Sequence, residues 1–135
     1  MIVIVCLDDN LGMMFNNRRL SHDAVVINKI LDITKNRKLW MCRLSYSLFD
    51  KLNTTNINID DNFLSEAGKD EFCFVENKRL IPYEKWIEKV IVFKWNRKYP
   101  SDFKIDIDLS SWRKVDKDDF AGNSHKNITM EVYTK

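Results

Sequence analysis

Residues Ile2 to Leu7 form a nearly unbroken apolar, β-branched run, the pattern of a strand covered on both faces. Asp8-Asp9-Asn10-Leu11-Gly12 ends it with turn chemistry. From Met13 to Leu20 no period holds, and Asn16, Asn17, Arg18 and Arg19 break up the apolar residues, so a loop is expected there. Ser21 is a fit N-cap, with Asp23 in the first turn, where the helix dipole favours a negative charge. Val26, Ile27, Ile30, Leu31 and Ile33 then recur at helical spacing over about three turns. Lys38 to Cys42 reads as a short buried strand. Ser45 can cap a second helix that turns Leu48, Phe49 and Leu52 inward.

The second half has shorter elements. A brief strand is expected at Ile57 to Ile59, and a short helix capped by Asp61 carries Phe63, Leu64 and Ala67, with Gly68 placed to end it. Glu71 to Val75 is a further buried strand, Pro82 suits the first position of a helix holding Tyr83, Trp86 and Ile87, and Lys89 to Trp95 is β-rich. Phe103, Ile105, Ile107 and Leu109 alternate with Lys104, Asp106 and Asp108, as in a half-exposed strand or an extended connection. Ile128 to Tyr133 alternates as well and makes a final strand. Strands alternate with helices early and follow one another late. The expected fold is one α/β domain over residues 1–135: a mixed sheet of about seven strands, mostly parallel, with an antiparallel C-terminal hairpin and about four flanking helices.

Composition narrows the class. The 135 residues are 44% hydrophobic and 31% charged, with a formal net charge of +2, which excludes intrinsic disorder and gives no mandate for binding polyanions. No apolar run approaches the roughly 18 residues of a membrane helix, and Met1 to Leu7 lacks the basic leader of a signal peptide. The three cysteines, Cys6, Cys42 and Cys73, lie in apolar runs and read as free thiols of a cytoplasmic protein. No metal site is expected. The cysteines lack C-x-x-C spacing, and His22 and His125, the two histidines, lack a metal context. His22 reads as a surface residue and His125, in Asn123-Ser124-His125, as a stabiliser of the turn before the last strand.

Two blocks carry a family likeness. Ile2-Val3-Ile4-Val5 is followed by Asp8 to Met13 and then by Leu20-Ser21-His22-Asp23. Lys38 to Tyr46 follows, and later Phe103 to Trp112 with Asn123-Ser124-His125 before the last strand. In this order they resemble dihydrofolate reductase: its first strand and mobile loop, the acidic residue opening its first long helix, the Met-Gly-Arg-x-Thr-Trp turn and the C-terminal hairpin. The resemblance implies a reduced reductase-like fold. It places Asp23 at the family's buried pterin-binding carboxylate, which has a raised pKa, and Arg43 at its basic contact with the cofactor 2′-phosphate.

What is missing changes the functional reading. Cys42 stands where the family keeps a glycine before that arginine. Phe74 to Arg79 replaces its Gly-Gly phosphate cradle, with no glycine between Gly68 and Gly122. Side chains would then block the backbone N–H groups from phosphate, and Glu76 would repel it. The segment between Tyr46 and Phe72 is compressed and shows no counterpart of the substrate-tail arginine. The expectation is therefore a non-catalytic binding protein without a cofactor. It would engage a partner protein or a small nucleotide-like ligand in a cleft lined by Arg18, Arg19, Arg43 and Arg79, self-association included, and inhibition of host defence by a mobile element is one form such binding takes. Lys94, Trp95, Arg97, Lys98 and Tyr99 form a basic-aromatic run that could contact a partner or single-stranded nucleic acid. The alternatives are an NADPH-dependent reductase of a pterin-like substrate, with Asp23 as proton source, and an RNA- or single-stranded-DNA-binding protein.

Overall fold

The computed structural model describes residues 1–135. In chain order the elements are β1 (Ile2–Leu7), β2 (Gly12–Phe15), β3 (Arg18–Arg19), α1 (Ala24–Thr34), β4 (Leu39–Met41), α2 (Arg43–Tyr46), β5 (Ile57–Ile59), α3 (Phe63–Glu66), β6 (Phe72–Phe74), a 3₁₀ segment Ile81–Trp86, β7 (Lys89–Lys94), β8 (Phe103–Lys104), a 3₁₀ turn Leu109–Ser111, β9 (Arg113–Phe120) and β10 (Ile128–Thr134). The main sheet has seven strands in the order β5-β4-β6-β1-β7-β10-β9, and β3-β2-β8 make a separate small sheet. β1 lies between β6 and β7, parallel to both. β10 returns antiparallel between β7 and β9. This is the mixed, mostly parallel sheet with an antiparallel C-terminal end that the alternation of elements predicts.

β1 is covered on both faces, as its continuous apolar run requires. Ile2 and Ile4 pack with Val26, Ile27 and Ile30 of α1 and with Phe49, Phe74 and Phe93. Val3, Val5 and Leu7 face the other way, onto Met13, Met14, Phe63, Leu80, Ile105, Ile107 and Trp112. The alternating arm 103–109 is mostly an extended connection: after the short β8, Ile105 and Ile107 are buried, while Asp106 turns away to accept from the Leu80 and Ile81 N–H groups.

Several local expectations need correction: among them, the short helix Phe63–Glu66 follows Asn62 and is not capped by Asp61, and Pro82 lies in a 3₁₀ segment in place of an α-helix. Met13 to Leu20 is a hairpin, β2–β3, and its turn is made by Asn16 and Asn17 at φ 51° and 60°. Asparagine tolerates that left-handed backbone, which suits a two-residue hairpin turn without glycine. The cap of α1 is Asp23, whose side chain accepts from the Val25 N–H, rather than Ser21. Ser45 lies inside the short α2, and the chain beyond Tyr46 runs in turns. The outer hairpin strand is β9, whose arginine, lysines and aspartates are all exposed. With both faces polar it has no alternation to betray it, and those charges on an edge discourage pairing with another sheet.

The cysteines are free, with Cys42 and Cys73 buried and Cys6 half-buried. Burial pushes the Cys73 thiol up to about 12. It pushes Cys6 well above the ordinary thiol value, with the Glu76 charge adding to the effect. Since the thiolate is the reactive form, a disulfide reagent such as Ellman's is expected to leave Cys6 and Cys73 untouched in the native chain and to titrate all three cysteines once it is unfolded.

Candidate functional site

In open α/β sheets, ligands enter the crevice at the carboxyl ends of the strands, where connections diverge to either side. Here the carboxyl ends of β1, β4 and β6 converge, and side chains fill the space between them. Arg19, reaching in from β3, makes a two-pronged ion pair with Glu76, just after β6: Nε to Oε2 at 2.9 Å and Nη2 to Oε1 at 3.0 Å. Ser45 Oγ of α2 donates to Glu76 Oε1 at 2.8 Å, and Arg19 Nη2 also reaches the Leu44 carbonyl at 3.2 Å. Cys42 Sγ lies 3.5 Å from Ser45 Oγ and 3.7 Å from Asn77 Oδ1. The Glu76 side chain is 9% exposed and that of Arg19 22%. The hydrogen bond to Glu76 holds the Arg19 guanidinium firmly charged. The ion pair thus ties the small sheet, α2 and the end of β6 into one plug.

A second polar knot lies at the start of α1. Asp23 Oδ1 accepts from the Val25 and Asn123 N–H groups, each at 2.9 Å. Its Oδ2 accepts from the Ser124 N–H at 2.8 Å, from Ser124 Oγ at 3.1 Å and from His125 Nδ1 at 3.0 Å. The loop can come this close because Gly122 has no side chain; a Cβ there would sit 2.5 Å from Oδ2. His125 stacks on Trp95 with ring centroids 4.6 Å apart. Its Nε2 meets Ser21 Oγ at 2.9 Å and the Tyr99 hydroxyl at 3.3 Å.

Burial alone would raise the Asp23 carboxyl. The hydrogen bonds from Asn123, His125, Ser124 and Val25 outweigh it and hold the group well below the usual carboxylate range. That reverses the expectation attached to Asp23 by resemblance. A carboxylate that accepts every one of these bonds is a permanent anion, poorly suited to give up a proton near neutrality.

The other predicted residues scatter. Arg18 and Arg19 come together with Phe15, Asn16, Leu20, Tyr99 and Pro100 around a recess of about 490 Å³. Arg43 is exposed at the start of α2, near the plug. Arg79 points elsewhere: it pairs with Asp106 at 3.4 Å on a side chain 70% exposed. Lys94 reaches Glu131 at 4.0 Å on the sheet face opposite α1. Trp95 is buried at 3%, so its place is beneath His125 and it offers no contact surface. Arg97 and Lys98 are exposed and Tyr99 half-buried. Sequence reasoning missed Ser21 and Ser45 as network members. Each is a lone serine, recognisable only when a partner more than thirty or a hundred positions away arrives beside it.

Compared with solved structures, the chain is similar to dihydrofolate reductase from Enterococcus faecalis, complexed with NADP(H) and RAB-propyl, with a TM-score of 0.69 at 13% identity. The match covers 98% of this chain and 94% of that one. No family model matches, and no curated protein sequence does. The fold is dihydrofolate reductase-like, with deep sequence divergence. No helix is long and apolar enough to cross a membrane.

Proposed function

We propose that this chain is a binding protein on a dihydrofolate reductase-like fold, and that its ligand is a small nucleotide-like anion held in the recess of Phe15, Arg18 and Tyr99. The observation that carries this reading is the Arg19–Glu76–Ser45 plug. A dinucleotide phosphate in that crevice would have to displace Arg19 and then rest against the buried carboxylate it had neutralised, a charge arrangement that opposes binding. This favours binding over hydride transfer, as does the ionised state of Asp23.

The recess has the complementary character. Arg18 and Arg19 are the charged residues of its wall, Phe15 is 41% exposed, and Tyr99 contributes a second ring. Arg19 is already neutralised by Glu76, which leaves Arg18 as the free cation. A phosphate on Arg18 and a base against Phe15 match a mononucleotide in charge, size and aromatic surface.

The test is a melting-shift and calorimetric titration with AMP, ADP, ATP and NADPH. A ligand of the native state raises the transition by mass action, by about 2.7 kcal/mol at a hundred times its dissociation constant. Nucleoside phosphates are expected to raise it, with affinity falling at least tenfold in Arg18→Glu. Silence of every nucleotide at millimolar concentration would reject the ligand. Saturable NADPH binding that Arg18→Glu leaves unchanged would restore the reductase reading.

A further inference from the structure

The knot at the start of α1 is more elaborate than a loop staple requires. Asp23 and the amides of Asn123 and Ser124 already fasten the turn to the helix. Beyond them, His125 extends the chain of hydrogen bonds outward to the half-buried Ser21. A carboxylate can only accept, so the 3.0 Å contact places a proton on His125 Nδ1, which Ser124 Oγ also approaches at 3.0 Å, and in that tautomer Nε2 accepts from Ser21 Oγ. Asp23 is itself solvated by backbone N–H groups and the Ser124 hydroxyl. The stack on Trp95 fixes the ring plane. Hydroxyl, imidazole and buried carboxylate thus stand in the order and at the distances of an acyl-transfer triad, which is recognised by geometry and roles and not by sequence position.

Two further features bear on reactivity. The backbone N–H groups of Ser21 and His22 donate to no protein acceptor, and donors beside the nucleophile are what a developing oxyanion needs. The recess adjoins the triad through Leu20, the residue before Ser21, and through Tyr99, which lines the recess and also reaches Nε2. The Tyr99 hydroxyl competes with Ser21 for that nitrogen, but its 3.3 Å contact is the longer of the two.

We propose that Ser21 is an activated nucleophile that accepts acyl groups from carboxylic esters. Ser21 Oγ attacks the carbonyl carbon and its proton passes to His125 Nε2. The ester C–O bond then breaks, and the leaving alcohol takes that proton from the imidazolium. Water repeats the sequence on the acyl-serine, giving the carboxylic acid and restoring the hydroxyl. The preferred substrate is an ester with a negative charge for Arg18, a refinement that rests on the recess reading above.

The experiment treats the native chain with p-nitrophenyl acetate, follows p-nitrophenolate release, and maps the acetyl group by peptide mass spectrometry. The expected result is one acetyl on Ser21, formed at least a hundredfold faster than on the same serine in the urea-unfolded chain, and absent in Ser21→Ala, whose melting stays close to that of the wild type. Acetyl on lysines alone, or equal rates at Ser21 in folded and unfolded chains, would overturn the proposal even if the variant failed to fold. A p-nitrophenyl ester bearing a carboxylate separates the two readings. Faster reaction than the neutral ester, lost in Arg18→Glu, supports the recess. Equal rates with labelling at Ser21 reject the anionic preference and leave the nucleophile standing.

Discussion

Asp23→Ala is expected to lower stability by about 3–5 kcal/mol, the range for removing one member of a buried interacting pair, and to drop the melting midpoint by more than about 10 °C. The carboxylate holds three backbone N–H groups, a serine hydroxyl and the His125 ring. Truncation strands several of these donors in a place where Asp23 itself is only 2% exposed. Each buried donor left unpaired costs about 1–3 kcal/mol, and the N-cap of α1 is lost as well, about another 1 kcal/mol. A denaturant midpoint indistinguishable from the wild type would show that the 122–125 loop is held by other means.

The same residue sets an acid dependence. Its folded pKa is depressed below the unfolded value of about 3.9. Its contribution is therefore fully present above that unfolded value and is lost as pH falls through the folded one. Wild-type stability should decline as pH drops below about 4, and Asp23→Asn, less stable at neutrality, should decline less over that interval. Parallel pH profiles for the two proteins would contradict the linkage.

The fold was legible where burial and chain periodicity coincide. Ile2 to Leu7 announces a central strand because both of its faces are covered, and Val26, Ile27 and Ile30 announce the buried side of α1. Legibility fails where structure is held by something other than apolar burial. β9 is a strand because β10 supplies hydrogen-bonding partners, so its charged sequence carries no trace of the pairing. The β2–β3 hairpin depends on two asparagines in left-handed backbone, a choice a chain can also make in an irregular loop. The site follows the same rule. That Cys42 and Glu76, and no glycine, follow β4 and β6 could be read directly from the sequence. The partner that neutralises Glu76 could not, because Arg19 lies 57 positions away and looks, in sequence, like its exposed neighbour Arg18. Resemblance placed Asp23 at the head of a helix correctly but gave it the wrong environment, since its pKa is decided by amides of a loop a hundred residues downstream.

That plug yields the second large effect. Arg19→Ala is expected to destabilise the chain by about 3–5 kcal/mol, because it leaves the Glu76 carboxylate buried with the Ser45 hydroxyl as its remaining donor. Arg18→Ala, one residue away but exposed, should change stability by less than about 0.5 kcal/mol. The informative variant is the double replacement Arg19→Met with Glu76→Gln. Methionine refills the space of the arginine stem, and glutamine keeps an acceptor for Ser45 without the charge. Most of the single-variant loss should return, to within about 1 kcal/mol of the wild type, since the large penalty belongs to the orphaned charge and the intact pair is worth far less. Recovery would mean that this crevice is closed mainly by the need to neutralise Glu76, so that a chain with a small neutral residue there would have no electrostatic reason to keep Arg19 in the cleft. Additive losses in denaturant unfolding would mean instead that the Arg19 stem and its bond to the Leu44 carbonyl hold α2 against the small sheet by themselves, making the closure a matter of packing.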